Sequence, residues 1–153
     1  MKAFFSCLFC VFLLQGCGAT APSPEPSSEP YELDLSFRDL NGQEVQLKEY
    51  RGRVVLLTYW ATWCFACQTE MRSLDELQEY FGDRLLVLAV AVRDSSERVR
   101  EFQRKNHIRF PVLLDPEEKA ACASGGDGSL PLTLLVSKNG RLLSFPDPET
   151  GIS

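Results

Sequence analysis

Two cysteines, Cys64 and Cys67, lie at the point where a strongly apolar segment passes into an amphipathic one. The apolar segment, Val54–Tyr59, has the continuous hydrophobicity of a parallel strand that is covered on both faces, and apolar residues recur at helical spacing over about 65–81. Residues three apart share one face of a helix, so a small adjustment of the first turn brings the two sulfurs within disulfide distance. The sequence therefore predicts a thiol pair between a strand and a helix that can open and close without unfolding the chain.

The position of Cys64 at the start of the predicted helix favours its thiolate. The first backbone N–H groups of a helix have no partner within the helix, and the helix dipole adds about 0.3–1 kcal/mol, less than one pKa unit at about 1.36 kcal/mol per unit. Direct N–H hydrogen bonds and the neighbouring Cys67 thiol must supply the rest. We therefore expect Cys64 to be the exposed, attacking sulfur and Cys67 the buried, resolving one, with a redox-active Cys64–Cys67 disulfide as the oxidised form.

Glu70 lies on a helix face that is otherwise apolar. On a helical wheel counted from Cys67, this carboxylate falls within the arc formed by Met71, Leu74, Leu77 and Phe81. Burial raises the pKa of a carboxyl group, and a carboxyl group one turn below Cys67 can exchange the proton that Cys67 must lose to attack. We expect this catalytic role for Glu70. The alternative is that Glu70 leans to the edge of the face and pairs with a Lys or Arg.

Strands and helices alternate along the rest of the chain. Asn41-Gly42 is a hairpin turn signal between two short alternating segments, and Leu85–Ala91 is a second continuous apolar strand. The further predicted segments are a helix over about 95–106, a strand at Phe110–Leu114, a short helix near 116–122, and a closing pair of strands around 132–137 and 141–145. This order predicts a single three-layer α/β domain, which we assign to residues 31–153.

Residues 1–16 have the features of a secretory signal peptide. They hold one Lys and an apolar run over 3–14, which is shorter than the about 20 residues that span a bilayer. The run ends in Leu14-Gln15-Gly16-Cys17, which resembles the bacterial lipobox, so Cys17 is the expected lipidation site and the first residue of the mature chain. Cleavage without lipidation after Ala19-Thr20-Ala21, or an uncleaved anchor, are the alternatives.

Residues 17–30 are expected to tether the domain to this lipid anchor. Segment 18–30 contains four prolines and no large apolar side chain, so it does not contribute to a core. At about 3.1 Å per residue in polyproline II conformation, it reaches about 40 Å from a membrane surface. The domain is therefore expected to face the periplasm or the exterior of a bacterial cell envelope.

Charge and cysteine usage narrow the possible functions. The 153-residue chain has a net charge of −5, which argues against nucleic acid as a partner. Cys7 and Cys10 leave with the signal and Cys17 takes lipid, so Cys122 is the only thiol left beside the pair. Exported chains usually carry structural cysteines in pairs, and a tight pair with one spare thiol indicates catalysis instead. His107 is the only histidine, so we expect no metal site and no cofactor.

Several motifs, in the right order, resemble the TlpA/ResA branch of the thioredoxin superfamily, which comprises membrane-tethered thiol-disulfide oxidoreductases of the bacterial envelope. The motifs are Asp39–Gln43, Tyr59–Cys67, Glu70, Phe110–Asp115 and Leu130–Gly140, within a resemblance that runs from about Leu33 to Leu143. The resemblance implies a thioredoxin fold with a central mixed sheet and an N-terminal β-hairpin extension. It also implies dithiol exchange at Cys64 and Cys67, proton transfer by Glu70, and a cis peptide before Pro131.

The resemblance also implies partners. They are client proteins that contain a disulfide, with apocytochrome c as the family-level guess, and a membrane electron donor that restores the dithiol. We expect the client to contact Trp63, Phe65, Leu130 and Pro131 around the cysteines. Thr58 stands where cytoplasmic thioredoxins carry a buried Asp, which gives Glu70 more weight as the proton route.

Departures from the family pattern leave other interpretations open. The chain stops where the family has a further helix that covers one sheet face. We therefore expect an exposed apolar face, which implies instability, a partner that covers the face, or an incomplete chain. A peroxiredoxin-like peroxidase shares the fold, but its Thr-x-x-Cys motif requires a threonine at Ala61, and the threonine here is Thr62. A redox-inert binding module is a third possibility. A copper-delivery protein of the Sco type is disfavoured, because it uses Cys-x-x-x-Cys with a later His.

Overall fold

The computed structural model describes residues 32–144. The predicted signal peptide, Cys17 and the tether lie outside the described residues, as does the segment after residue 144. The strands of the described range are β1 Ser36–Arg38, β2 Glu44–Gln46, β3 Val54–Trp60, β4 Leu85–Val92, β5 Val112–Asp115, β6 Leu132–Val136 and β7 Leu142–Ser144, and the α-helices are α1 Phe65–Phe81, α2 Ser96–Lys105 and α3 Lys119–Ala123. Short 3-10 turns cover Leu47–Tyr50 and Gly82–Arg84. Within this range, no helix combines the length and the apolar composition needed to cross a bilayer.

The strands form one mixed sheet in the order β2-β1-β5-β4-β3-β6-β7. Strands β3, β4 and β5 run parallel at its centre, with Leu57 opposite Leu88. Strands β1 and β6 pair antiparallel with β5 and β3, and the edge strands β2 and β7 pair antiparallel with β1 and β6. Every residue of β4 is buried, as is typical of a central parallel strand that is covered on both faces. The two predicted parallel strands and the N-terminal hairpin, in which Phe37 pairs with Val45, are confirmed.

Helices α1 and α2 contribute to one face of the sheet. Their buried side chains pack in one apolar cluster with residues of β3 and β4; the cluster includes Trp60, Met71, Leu74, Val87 and Val99. Because α1 begins shortly after β3 ends, the cysteine pair lies at the carboxyl edge of the parallel strands. Open α/β sheets commonly bind their ligands at this edge.

The opposite face of the sheet is also buried. Leu57, Leu88 and Leu134 are each 0% exposed. They belong to a second apolar cluster, which also contains Leu33, Leu35, Leu47, Ala120 and Ala121. This face is therefore covered within the described strands. The segment before β1, the turn after β2 and helix α3 belong to the same cluster and contribute to its cover. On the other side of the sheet, Leu143 of β7 is 52% exposed and Leu56 and Leu135 are only half-buried, so the expected exposure of apolar side chains holds in part at this edge.

The short helix α3 begins later than predicted, at Lys119 rather than near residue 116. The carboxylate of Asp115, at the end of β5, accepts hydrogen bonds from the backbone N–H groups of Lys119 and Ala121 at 3.0 and 2.9 Å. Glu118, just before the helix, has a left-handed backbone with φ 56°. The chain therefore makes a tight turn around the Asp115 side chain before the helix starts.

Candidate active site

Cys64 and Cys67 form a disulfide, with their Cα atoms 5.3 Å apart. Cys64 is the N-cap of α1, and its Sγ accepts a hydrogen bond from the backbone N–H of Cys67 at 3.2 Å. Cys64 is 8% exposed and Cys67 is 0% exposed. Cys64 is thus more exposed than Cys67, as predicted, although it is more enclosed than expected. When the disulfide opens, the same N–H can stabilise a thiolate on Cys64.

A buried carboxylate fixes the loop that leads into Cys64. Asp94, which follows β4, accepts hydrogen bonds from the backbone N–H of Thr62 at 2.7 Å and from its hydroxyl at 2.6 Å. Arg98 donates to the same carboxylate at 2.8 Å. Burial disfavours the charged form, but the hydrogen bonds from Thr62, Arg98 and Ser95 outweigh it and hold the pKa of Asp94 below its usual value. The sequence analysis did not identify Asp94, although a carboxylate two residues after a buried strand is a signal that could have indicated it.

Glu70 has the electrostatic environment that the sequence predicts. It is half-buried, and desolvation by burial raises the pKa of its carboxyl group, while a hydrogen bond from Thr133 works in the opposite direction. Its Oε2 atom is buried without a hydrogen-bond partner. The Thr133 hydroxyl also lies 2.9 Å from that of Thr58. Within the described residues Glu70 makes no ion pair with a Lys or Arg, so the alternative interpretation finds no support there.

The loop before β6 approaches the cysteines from the other side. The peptide bond between Leu130 and Pro131 is cis, as predicted. Half-buried Leu130 packs against the cluster that contains Cys64 and Cys67, and Pro131 is exposed. A Cβ atom at Gly126 would meet the carbonyl oxygen of Ala121 at 2.9 Å, so this loop runs too close to α3 for another residue there.

Two large apolar side chains next to Cys64 are exposed. Trp63 is 53% exposed and Phe65 is 82% exposed. The Trp63 ring lies 5.0 Å from the guanidinium carbon of Arg93, and its Nε1 donates to the backbone oxygen of Arg93 at 3.3 Å. Exposed aromatic side chains beside a disulfide form a surface suited to contact with another polypeptide.

Two further sequence candidates, Cys122 and His107, are exposed. Cys122 is a free, exposed cysteine on α3. His107 is exposed and has a left-handed backbone with φ 55°. Among residues 32–144, no group of three or more His, Cys, Asp or Glu side chains is arranged to hold a metal ion.

Comparison with known proteins places the described domain in a family. A family model described as the AhpC/TSA family matches residues 30–144. The chain belongs to the AhpC/TSA family. The matched residues of the chain include both cysteines of the disulfide, Glu70 and Pro131.

The chain is also similar in sequence to thiol-disulfide oxidoreductases. The chain is 34% identical over 126 residues to the thiol-disulfide oxidoreductase ResA of Geobacillus thermodenitrificans, covering 82% of this chain and 66% of that protein. It spans slightly less than two thirds of the length of the curated relatives it matches, between 61% and 66%.

Solved structures agree with this assignment. A DsbF homologue from Corynebacterium diphtheriae is 29% identical and has a TM-score of 0.66, over 77% of this chain and 83% of that one. The exposed lipoprotein thioredoxin Etrx1 of Streptococcus pneumoniae is 26% identical and has a TM-score of 0.57, over 76% of this chain and 93% of that one. The fold is therefore thioredoxin-like, as predicted, with a mixed sheet and an N-terminal hairpin.

Proposed function

We propose that this protein is a thiol-disulfide oxidoreductase that reduces disulfides in exported proteins. The observation that carries the proposal is the Cys64–Cys67 disulfide at the start of α1, in which Cys64 is partly accessible and Cys67 is fully buried. The identity with ResA, a protein named as a thiol-disulfide oxidoreductase, supports the same activity. Exchange requires one sulfur that a client can reach and a second one that only the first sulfur can reach.

The reaction proceeds in two exchange steps. The Cys64 thiolate attacks one sulfur of the client disulfide, so a bond forms between Cys64 and the client, and the other client sulfur leaves as a thiolate and takes a proton. The Cys67 thiolate then attacks the Cys64 sulfur, which releases the second client thiolate and forms the Cys64–Cys67 disulfide. The client gains two electrons and two protons, and the protein loses them. A membrane dithiol donor restores the reduced pair.

Glu70 is the proton acceptor for Cys67 in this scheme. A thiol is a poor nucleophile until it loses its proton, and Cys67 is fully buried, so water has little access to it. A carboxyl group whose pKa is raised by burial holds and releases a proton closer to neutral pH than an ordinary carboxyl group does. Glu70 therefore takes the proton from Cys67 during resolution and returns it when the disulfide is reduced.

The client binds over the exposed aromatic side chains and the loop before β6. Trp63 and Phe65 supply apolar surface on one side of Cys64, and Leu130 and Pro131 supply it on the other. In typical protein complexes a few buried side chains, tryptophan prominent among them, contribute most of the binding energy. Because this contact is apolar, it suits unfolded or partly folded clients, with apocytochrome c as one candidate.

The protein acts at a membrane of the bacterial envelope. Residues 1–16 serve as a signal peptide, Cys17 carries the lipid, and residues 17–30 form the tether. The Leu14-Gln15-Gly16-Cys17 sequence supports this arrangement, and so does the similarity to Etrx1, which is named as an exposed lipoprotein.

Reduction of insulin by dithiothreitol tests the proposed activity. The protein should accelerate the reaction over dithiothreitol alone by about tenfold or more, because the backbone N–H of Cys67 stabilises the attacking Cys64 thiolate, while most of the reagent thiol is protonated near neutral pH. Cys64→Ser and Cys67→Ser should each return the rate to background. Cys122→Ser, which removes the free exposed thiol, serves as the matched control and should retain the rate. Failure to accelerate would favour a redox-inert binding module, and peroxide consumption that survives Cys67→Ser would favour a peroxidase.

Metabolic labelling with a fatty acid tests the anchor. The full chain, expressed in a bacterium, should take up the label and sediment with membranes, because lipid on Cys17 adds about 0.8 kcal/mol for each buried CH₂ group. Cys17→Ala should lose the label, with Cys122→Ser as the matched control. A mature N-terminus after Ala21 with no label on the chain would contradict the anchor and leave the exchange activity unaffected.

A further inference from the structure

Three non-glycine residues of the described chain have a left-handed backbone, and two of them are joined by an ion pair. They are Arg93 at φ 50°, His107 at φ 55° and Glu118 at φ 56°. Arg93 follows β4 and Glu118 precedes α3, and Arg93 Nε lies 3.1 Å from Glu118 Oε1. Side chains with a Cβ atom rarely adopt this conformation, and where it persists it clusters at functional sites. The rare backbone conformation at both ends of this ion pair therefore marks Arg93 and Glu118 as candidates for a functional role.

Arg93 contacts both loops that converge on the cysteines. Its guanidinium carbon lies 5.0 Å from the centre of the Trp63 ring, and its backbone oxygen accepts from Trp63 Nε1 at 3.3 Å. Its Nη2 donates to the carbonyl oxygen of Gly128 at 3.1 Å. Trp63 directly precedes Cys64, and Gly128 lies three residues before Pro131. One side chain thus links the two loops that supply the proposed client surface.

The set of contacts requires arginine. The guanidinium group of Arg93 forms an ion pair with the Glu118 carboxylate and donates to the Gly128 carbonyl at the same time, while its central carbon lies over the Trp63 ring. Lysine keeps the charge but is a compact point charge without this fork, so it cannot make the three contacts together. The Arg93 side chain remains 43% exposed, so the link lies at the surface, where a client docks, and not in the core.

We propose that Arg93 is a positioning residue for client binding. It fixes the separation between Trp63 and the loop before Pro131 and so sets the width of the surface that a client polypeptide occupies. This inference rests on the proposed function, and it leaves the exchange steps to Cys64 and Cys67. A polypeptide that touches both loops depends strongly on the link. A small disulfide that reaches only Cys64 depends on it less.

Single-turnover oxidation of the reduced protein by insulin, and separately by oxidised glutathione, tests the inference. In Arg93→Lys the insulin concentration that gives half the limiting rate should rise about tenfold, while the limiting rate changes by about twofold or less. The rate constant with glutathione should fall by a smaller factor, about two. Arg93→Gly should show the same pattern even though glycine relieves the left-handed backbone. His107→Gly, which relieves a similar backbone elsewhere, is the matched control and should behave as the native protein does.

Acrylamide quenching of tryptophan fluorescence supplies a readout that does not depend on activity. Trp60 is 1% exposed and Trp63 is 53% exposed, so the quenchable signal comes mainly from Trp63. Both Arg93 variants should increase quenching, and His107→Gly should not. Unchanged quenching and unchanged half-saturation in Arg93→Lys would overturn the inference, and so would equal losses with insulin and glutathione. If the native protein reduced neither substrate, the proposed function would fail, and the inference would fail with it even if quenching showed that Arg93 holds Trp63.

Discussion

At the residue scale, the site combines a disulfide with a carboxyl group whose ionisation is disfavoured. The Cys67 N–H that donates to Cys64 Sγ supplies the kind of direct hydrogen bond that the helix dipole alone could not replace. Glu70 has one buried oxygen without a partner, and removing a carboxylate from water raises its pKa. In the proposed reaction the two features have separate roles, because the Cys67 N–H stabilises a Cys64 thiolate once the disulfide opens and Glu70 carries the proton of Cys67.

Glu70→Gln tests the proton role. Glutamine keeps the size of the side chain but cannot accept the proton of Cys67, so resolution of a mixed disulfide should slow by about 10²-fold, the lower end of typical general-base contributions. The first step, attack by Cys64, should change much less. Stopped-flow measurement of both phases with a disulfide peptide checks this. Equal slowing of both phases would contradict a role specific to Cys67.

The same variant should alter how stability depends on pH. Because the folded pKa of Glu70 is raised, the stability it contributes is fully present below its unfolded value, near 4.5, and is lost as pH rises through the folded value. Glutamine does not ionise, so its contribution does not change with pH. The free energy of unfolding of Glu70→Gln, relative to that of the native protein, should therefore be higher at pH 7.5 than at pH 4. Urea unfolding at both pH values measures the difference, and a pH-independent difference would refute the shift.

At the element scale, local patterns predict the elements well, and contacts between distant segments account for what they miss. Helix α1 covers Phe65–Phe81, as its apolar spacing indicates, and β3 and β4 run parallel, as their continuous hydrophobicity indicates. Helix α3 starts late because the Asp115 side chain binds the backbone after it. Gln78, a polar residue on the buried face of α1, donates to the Leu85 carbonyl at 2.8 Å and accepts from the Val87 N–H at 2.7 Å. No helical wheel reveals such partners.

The residues that hold the loops around the site are also contributed by distant parts of the sequence. Asp94 and Thr62 are 32 residues apart, and Arg93 and Gly128 are 35 residues apart. Thr62 and Asp94 meet because parallel strands place the ends of β3 and β4 at one edge of the sheet, and Gly128 reaches Arg93 because β6, which is antiparallel to β3, begins at the same edge. Motif spacing does not contain this topology. The sequence therefore suffices to locate the cysteines and Glu70, whereas the residues that hold their loops emerge only from the fold.

At the scale of the whole molecule, the sheet carries the cysteine pair at the carboxyl edge of its parallel strands. Apolar clusters lie on both of its faces, and the chemistry-bearing residues gather where β3 ends and the loop before β6 begins. The net charge of −5 gives no electrostatic attraction to nucleic acid, and the exposed aromatic residues beside Cys64 suit polypeptide clients instead. The family assignment and the thioredoxin-like fold agree with this arrangement.

Covalent capture of a client by reduced Cys67→Ser tests directly whether Cys64 and Cys67 exchange with a client disulfide. This variant should form a one-to-one mixed disulfide between Cys64 and an oxidised client such as insulin, because the attacking sulfur is present and the resolving one is not. With Cys122→Ser added to remove the other exposed thiol, mass spectrometry of the complex should place the bond at Cys64, and Cys64→Ser should form none. If Cys67→Ser formed no adduct, or if Cys64→Ser formed as much, the cysteine pair would not be the exchanging centre.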